Sequence, residues 1–474
     1  MDSTSTSTTR GVWAGFRGEV ITPGTPGYDT ARRVRNARID RRPALIARCT
    51  GAEDVATALA HARAHRLPVA VRGGGAHVAG WGTCDGGVVL DLSPMKRVEV
   101  DAEARLAVAE AGVTWGEFDP ATQRFGLAVP GPRNTGVGIA GHTLGGGVGD
   151  LSRRYGLTSD NAVFFDVVTA DGRQVRAGAE ENPELFWGLR GGGGNFGVVT
   201  RFGFRLHPVS GVVAGPLIHP ADQVPAALRT ARDWLATAPD EASLVALVWT
   251  APPLPFVPEE LHFERCAVLI PTWFGDPGRA DEVLAPLRRG DPKPVSDGVA
   301  AMSYVAYQRL LPSPPDFADQ HVYNRGELLG ELSDPTIDML VEYWRAAGPN
   351  FSVVFGALGG AISRAPAGPT AYAHRDARWF VEICAQWYGA ADNPAHIQPA
   401  RRGWQSLQDV TRGPYSNLLP DPGTEWVRAA YGPETYERLA LLKHTWDPHN
   451  VFRFNANVPP LAGGTGDPER PPRG

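Results

Sequence analysis

Arg72-Gly73-Gly74-Gly75-Ala76-His77 is the stretch on which the reading of this chain turns. It follows a short apolar strand, Pro68 to Val71, and a helix that starts at Thr50. Gly80 lies just beyond it, and a second hydrophobic strand begins near Val88. Three consecutive glycines suit a backbone pressed against an anion. Glycine reaches φ > 0 and lets amide N–H groups turn inward as a nest. The arginine offers a planar charged fork for phosphate oxygens. Alone, such a loop says little, because glycine-rich turns are common connections.

Two further clusters give it weight. Gly136-Val137-Gly138-Ile139-Ala140-Gly141-His142-Thr143-Leu144-Gly145-Gly146-Gly147-Val148-Gly149 holds too many glycines for an ordinary helix. Each would cost a helix about 1 kcal/mol relative to alanine. Arg190-Gly191-Gly192-Gly193-Gly194-Asn195-Phe196-Gly197-Val198-Val199-Thr200 runs straight into a β-branched strand. None of the three carries the Gly-Lys-Ser/Thr ending of a Walker loop, and none sits in a convincing dinucleotide fingerprint. Three backbone-rich loops in one half of a chain suggest one extended, phosphate-bearing ligand touched in several places.

Pro68 to Leu92, Gly136 to Asn161 and Glu181 to Pro208 resemble the berberine-bridge-enzyme-like FAD-linked oxidases of the vanillyl-alcohol-oxidase superfamily. The far end agrees. Tyr431-Gly432, Tyr436-Glu437-Arg438-Leu439, Lys443 and the run Asp447 to Pro460 resemble the family's terminal signature. The likeness extends from about Tyr28 to Pro460. It implies an α+β protein with a PCMH-type FAD-binding domain of two α/β subdomains. A substrate domain built on an antiparallel sheet covered by helices would complete it. The expected divisions are a disordered tail over 1–27, the FAD domain over 28–210, the substrate domain over 211–410, and a segment over 411–474 that returns to the FAD domain.

The resemblance also assigns residues. The flavin would be held by Arg72, Gly73, Gly74, Gly75, Ala76, His77, Gly80, Asn134, Thr135, Gly138, Gly141, His142, Gly145, Gly146, Gly147, Gly149, Asn195, Val199, Asn455 and Asn457. In most of the family the residue four after the loop arginine is a histidine bonded to the flavin's 8α-methyl group. Here it is Ala76, with His77 one place later. Many members also bond a cysteine to the flavin's C6, and the matching position is Asn134. The resemblance therefore implies FAD held without a covalent bond. The alternative is a shifted loop that lets His77 form the bond.

Flavin chemistry needs position, electrostatics and a proton acceptor. Tyr415, in Pro414-Tyr415-Ser416-Asn417, resembles the family's Tyr-x-Asn element. It would act as base if neighbours depressed its pKa from about 10. Val381 to Tyr388 alternates, so Glu382, Cys384, Gln386 and Tyr388 share one face. Glu382 or Tyr388 would then assist proton transfer, or Glu382 would be a solvent-side carboxylate. His142 reads as a polar contact or as a histidine packed beside its loop. The functional expectation is oxidation of a small molecule, a secondary metabolite or a sugar-like alcohol or amine, with dioxygen as acceptor. The alternatives are a non-redox cyclase that uses flavin as scaffold, and a small-molecule binding or resistance protein.

Composition bounds the rest. A chain of 474 residues calls for two or three domains. Net charge −5 leaves no basic stripe for nucleic acid. No apolar run approaches the roughly 18 residues of a membrane span. Met1 to Arg10 is Ser/Thr-rich and reads as a tail rather than a signal peptide. Four cysteines without metal spacing fit a reduced, cytoplasmic enzyme, monomer or homodimer. No His-Glu-x-x-His, Cys-x-x-Cys or nucleophile elbow is present, and no metal is expected.

Overall fold

The computed structural model describes residues 13–311, 319–364, 368–421 and 423–461. Met1 to Arg10, read as a tail, and the proline cluster Pro312 to Pro315 lie outside the described residues. Three large sheets, with a two-stranded pair beside them, organise the described residues, and the expected α+β architecture is present.

The first sheet has four strands in the order Glu19–Ile21, Leu45–Arg48, Val88–Asp91, Val69–Arg72. The last three run parallel, and Glu19–Ile21 adds antiparallel at the edge. That edge strand falls inside the 1–27 stretch read as disordered, which is corrected here. Val20 and Ile21 are buried against the sheet, and a strand of three residues shows no readable alternation. The helix Ala52–Ala64 crosses between Leu45–Arg48 and Val69–Arg72. Thr50 and Glu53, spaced as a capping box, do not form one at its start. Asp54 accepts from the Thr50 N–H and Oγ1 (2.8 and 2.6 Å), while Glu53 turns outward to Arg17. The buried carboxylate, one residue on, reaches the free N–H groups better. A Thr114/Glu117 capping box does form and opens the helix Trp115–Gln123.

The second sheet is wholly antiparallel, in the order Val98–Asp101, Leu106–Glu110, Val198–Arg205, Ala162–Val168, Gln174–Gly178. Ala162–Val168 and Gln174–Gly178 form a hairpin that turns at Asp171-Gly172. Both sheets share one core, with Leu59, Trp115, Phe165 and Phe202 fully buried.

The third sheet is large and antiparallel. Its central run is Arg265–Trp273, Ala242–Thr250, Phe351–Ala357, Trp379–Tyr388, Gln320–Leu329, Thr411–Pro414. One face packs under the helices Val224–Thr237, Ala280–Arg289 and Asp334–Ala346, through Trp234, Leu284 and Trp344. The other face is left for the site. The strand Gln320–Leu329 was not read from sequence, because Asn324, Arg325 and Glu327 interrupt its apolar pattern. Arg325 and Glu327 are nonetheless buried, paired Nε to Oε1 at 2.6 Å. The Arg325 guanidinium lies 3.6 and 4.1 Å from the ring centres of Trp404 and Trp426.

Thr411–Pro414 still belongs to the third sheet, so the chain leaves that sheet only after Pro414. Helices Thr424–Tyr431 and Pro433–Trp446 then carry it back to the first core. Lys443 fastens the end. It is buried and donates to Asn195 O, Asp447 Oδ2 and Phe452 O at 2.8, 2.7 and 2.9 Å. Asp447 in turn accepts from the N–H groups of Val451 and Phe452. This brings Asn455 beside the third glycine loop, where its Nδ2 donates to Gly194 O. Among the described residues no helix is long and apolar enough to cross a membrane.

Candidate active site

A cavity of about 1740 Å³ runs from the first sheet, past the glycine loops, to the free face of the third sheet. Its volume exceeds the roughly 300–1,000 Å³ of a drug-sized ligand pocket, so it suits an extended ligand with a second molecule beside it.

Glycine is required where the loops meet. A Cβ on Gly74 would lie 2.4 Å from Gly138 N, and one on Gly138 would lie 2.6 Å from Gly74 N. The first two loops thus touch backbone to backbone. The third is tied to the second through the N–H groups of Gly191 and Gly193, which both donate to Leu144 O. Arg72, Gly73, Gly74, Gly75, Ala76, His77, Asn134, Gly138, Gly141, His142, Gly145, Gly149, Val199 and Asn455 all line the cavity.

The remaining expected contacts do not line it, and packing explains why. Gly80 lies against Ile39, Gly146 under the Tyr372 ring, and Gly147 against Thr158. Thr135 covers Gly116. Asn195 is fully buried and clamps the C-terminal segment, donating to Gly192 O and Ala456 O and accepting from Val458 N–H. Asn457 is not among the lining residues, and its Oδ1 is buried without a hydrogen-bond partner.

Arg72 does not hold its fork free for phosphate. Its fork is engaged by Asp91, at 3.0 Å from Nη2, and Nη1 donates to Arg33 O. A buried arginine with a carboxylate in reach pairs with it, so Arg72 braces the loop. His77 stacks on Trp81, ring centres 3.9 Å apart. Its Nδ1 accepts from Ala79 N–H, and burial holds the ring neutral, its pKa down to about 4. Burial likewise lowers His142 to about 4, and its Nε2 lies 3.2 Å from Val148 O. His142 is therefore a packed loop histidine that also edges the cavity.

The third sheet supplies the opposite wall, mainly through alternate residues of its strands. Val245, Leu247 and Trp249, then Ser352, Val354 and Gly356, then Phe380, Glu382, Cys384, Gln386 and Tyr388 all face it. Gln320, Val322 and Asn324 continue the wall. The shared face read for Glu382 to Tyr388 is therefore present. Asn324, missed in the sequence, donates through Nδ2 to Glu382 Oε1. Burial raises the Glu382 carboxyl above its ordinary value and pushes the Cys384 thiol well up. Glu382 is no solvent-side carboxylate. Tyr388 is 62% exposed, at the mouth.

Tyr415 enters from the end of Thr411–Pro414. Asn417 Nδ2 donates to its hydroxyl oxygen at 3.0 Å and to His142 O at 3.1 Å. Burial raises its pKa to about 12. The depression needed for a tyrosinate base is therefore not supplied by its protein neighbours. Among the described residues no cluster of His, Cys, Asp and Glu could hold a metal, and all four cysteines are free and buried.

Loops shaped for a long polar ligand, facing a sheet with a half-buried carboxyl and a tyrosine, define a flavin-nucleotide oxidoreductase. Comparison with known proteins agrees. Residues 43–178 match the FAD binding domain family, and residues 408–459 match the family described as berberine and berberine like. (R)-6-hydroxynicotine oxidase of Paenarthrobacter nicotinovorans is 32% identical over 458 residues, covering 94% of this chain and 97% of that protein. The FAD-linked oxidoreductase YgaK of Bacillus subtilis is 31% identical over 453 residues, covering 94% and 97%. The crystal structure of 6-hydroxy-D-nicotine oxidase from Arthrobacter nicotinovorans superposes with a TM-score of 0.83 at 31% identity, over 94% of this chain and 99% of that one. The chain belongs to the berberine-bridge-like family of FAD-linked oxidoreductases.

Proposed function

We propose that this enzyme holds FAD without a covalent bond and oxidises a small organic alcohol or amine, with dioxygen as acceptor. The observation that carries the reading is one cavity joining the glycine loops to the carboxyl-bearing wall. The residues fit the cofactor. Tyr431 Oη and Asn455 Oδ1, on residues that line the cavity, are buried without hydrogen-bond partners. Buried polar atoms are mostly paired, so such orphans beside the glycine loops fit a polar ligand. Arg72, locked to Asp91, keeps the first loop open; Gly74 and Gly138 keep the two loops together. Ala76 carries no group able to bond a flavin, which is the reason for a non-covalent assignment.

Bound FAD supplies a ring that accepts hydride from substrate carbon. The protein then has to hold the proton that leaves with it. Glu382 suits that task. Its raised pKa brings a carboxyl nearer the working range of a general base, and the Asn324 amide orients it. Tyr415, protonated at neutral pH, positions the substrate through its hydroxyl, itself fixed by Asn417. Tyr388 stands at the mouth and contacts incoming substrate.

Two measurements test this. Purified protein should release FAD on denaturation, and a substrate added without air should bleach its visible bands. Tyr415→Phe keeps the ring and removes the hydroxyl. If Tyr415 only positions, flavin reduction should slow by less than the roughly 10²-fold minimum expected for loss of an acid–base group. A larger loss, with FAD content unchanged, would return the base to Tyr415. Release of FMN alone would remove the reading altogether.

A further inference from the structure

Arg325 has more donors than partners. On Gln320–Leu329, Val322 and Asn324 face the cavity, so Arg325 and Glu327 point to the other side of the sheet. There the helix Asn393–Gln405 crosses the strand, and Trp426 approaches from the start of the helix Thr424–Tyr431. A second hollow, of about 690 Å³, lies between these helices. Arg325 and Trp404 are its buried part, and Gln405 and Gln408 its exposed rim. The Arg325 Nε donates to Glu327 Oε1, but Nη2 is buried with no hydrogen-bond partner. Trp404 Nε1 is buried and unpartnered as well. The Trp404 and Trp426 rings stand over the guanidinium and answer its charge through their π faces, yet they present no oxygen to its N–H groups.

Buried donors are mostly paired, so two unanswered N–H groups on one hollow call for an acceptor with two oxygens. The surrounding charges set its sign. Glu327 cancels Arg325, and Asp421, 3.0 Å from Arg401 Nη2, cancels Arg401. Arg38 is left over, its guanidinium 5.7 Å from the centre of the Tyr323 ring, whose hydroxyl donates to Asp421 at 2.6 Å. These five groups sum to one positive charge, which a monoanion matches. Phosphate, more highly charged and more strongly hydrated, would bring uncompensated charge against two indole rings. A planar carboxylate offers its two oxygens side by side, and a hydrocarbon attached to it covers the rings.

We propose that this hollow is a second ligand site, for a small monocarboxylate held by Arg325 Nη2 and Trp404 Nε1. The occupant enters by turning aside the long, exposed side chains of Gln405 and Gln408. The volume lies within the roughly 300–1,000 Å³ of small-molecule pockets. The site stands apart from the flavin cavity. Asn324 faces the cavity and its neighbour Arg325 the hollow, so the two are back to back across one sheet.

Calorimetric titration of the holoprotein, in a buffer free of carboxylate and phosphate, tests this. Acetate and benzoate are the probes, acetamide and benzamide their neutral counterparts, and inorganic phosphate the competing anion. At least one carboxylate should bind saturably and about tenfold more tightly than its amide. Trp404→Phe keeps an aromatic ring and removes the N–H, and it should weaken that carboxylate about fivefold. Arg325→Met combined with Glu327→Gln removes both charges together, so no buried carboxylate stays without its counter-ion, and it should abolish saturation. If that double variant fails to fold, Trp404→Phe decides alone. Absence of saturable carboxylate binding, equal binding of carboxylate and amide, or tighter binding of phosphate would each overturn the proposal. So would an affinity unchanged in Trp404→Phe, which would place the anion elsewhere, the flavin cavity included.

Discussion

Asp119 should make this enzyme less stable at neutral pH than its packing alone would allow, and Asp119→Asn should remove that burden. The side chain is 1% exposed, on the helix Trp115–Gln123, where it meets the helix Tyr304–Gln308 of the middle region. Gln308 Nε2 donates to its Oδ2 at 3.1 Å, and its Oδ1 has no partner. Burial raises its pKa from 3.8 to about 7. A raised pKa adds stability below the unfolded value, near 3.8, and that stability is lost as pH rises toward about 7. Each unit is worth about 1.4 kcal/mol, so roughly 3 kcal/mol disappears between pH 5 and 7. The neutral amide of Asp119→Asn cannot titrate. Unfolding entropy near 2.1 cal/mol/K per residue gives about 1 kcal/mol/K for 474 residues. The variant should therefore gain about 3 °C in Tm relative to wild type between pH 5 and pH 7, and little more by pH 8. The amide N–H groups lower both ends equally if they find no acceptor, so the slope is the readout, not the offset. Differential scanning calorimetry at half-unit intervals measures it. A Tm difference that stays flat from pH 5 to 8 would refute the reasoning.

Other changes probe the loops and the far end. Gly74→Ala places a methyl group 2.4 Å from a backbone nitrogen, so FAD content should fall and stability drop by about 1–3 kcal/mol, read by absorbance and melting. Lys443→Met leaves Asp447 buried without its counter-ion and should cost about 3–5 kcal/mol by thermal melts, with Asp447→Asn added restoring part of it. Acid precipitation should release the flavin into the supernatant, and fluorescence retained on a denaturing gel would contradict the assignment at Ala76. Activity limited by Glu382 should rise with pH through an ionisation above the ordinary carboxyl value of 4.5, and a profile flat across that region would move the proton elsewhere.

The flavin half of the molecule was legible because its sequence obeys a hard constraint. Where Gly74 meets Gly138, no side chain fits, so the glycines survive as a visible pattern. The strand Trp379–Tyr388 was legible for a similar reason, since one face of a half-buried sheet imposes a period of two. What escaped is instructive. Arg325 and Glu327 break the apolar pattern of their strand, yet they cancel each other's charge inside the sheet, and that strand carries Asn324 to the cavity. Arg72 read as a phosphate ligand because the distant Asp91 that claims it cannot be seen from the loop. The ionisation of Tyr415 depends on burial and on Asn417, and a residue letter carries neither. Glu19–Ile21 was too short for any pattern to show.

The alternation of the cavity wall separates two kinds of selection along one stretch of chain. Val381 and Ile383 pack beneath helices, while Phe380, Glu382 and Cys384 between them face the cavity. Neighbouring codons thus answer to different demands, one to stability and the next to ligand choice. A lineage can exchange Leu247, Val354 or Phe380 for other side chains and reach new substrates without disturbing the residues that keep the sheet folded. The same arrangement tells an engineer where diversity is safe. A library confined to every second position of these strands should yield mostly folded proteins, whereas one that randomises consecutive positions should yield mostly aggregates.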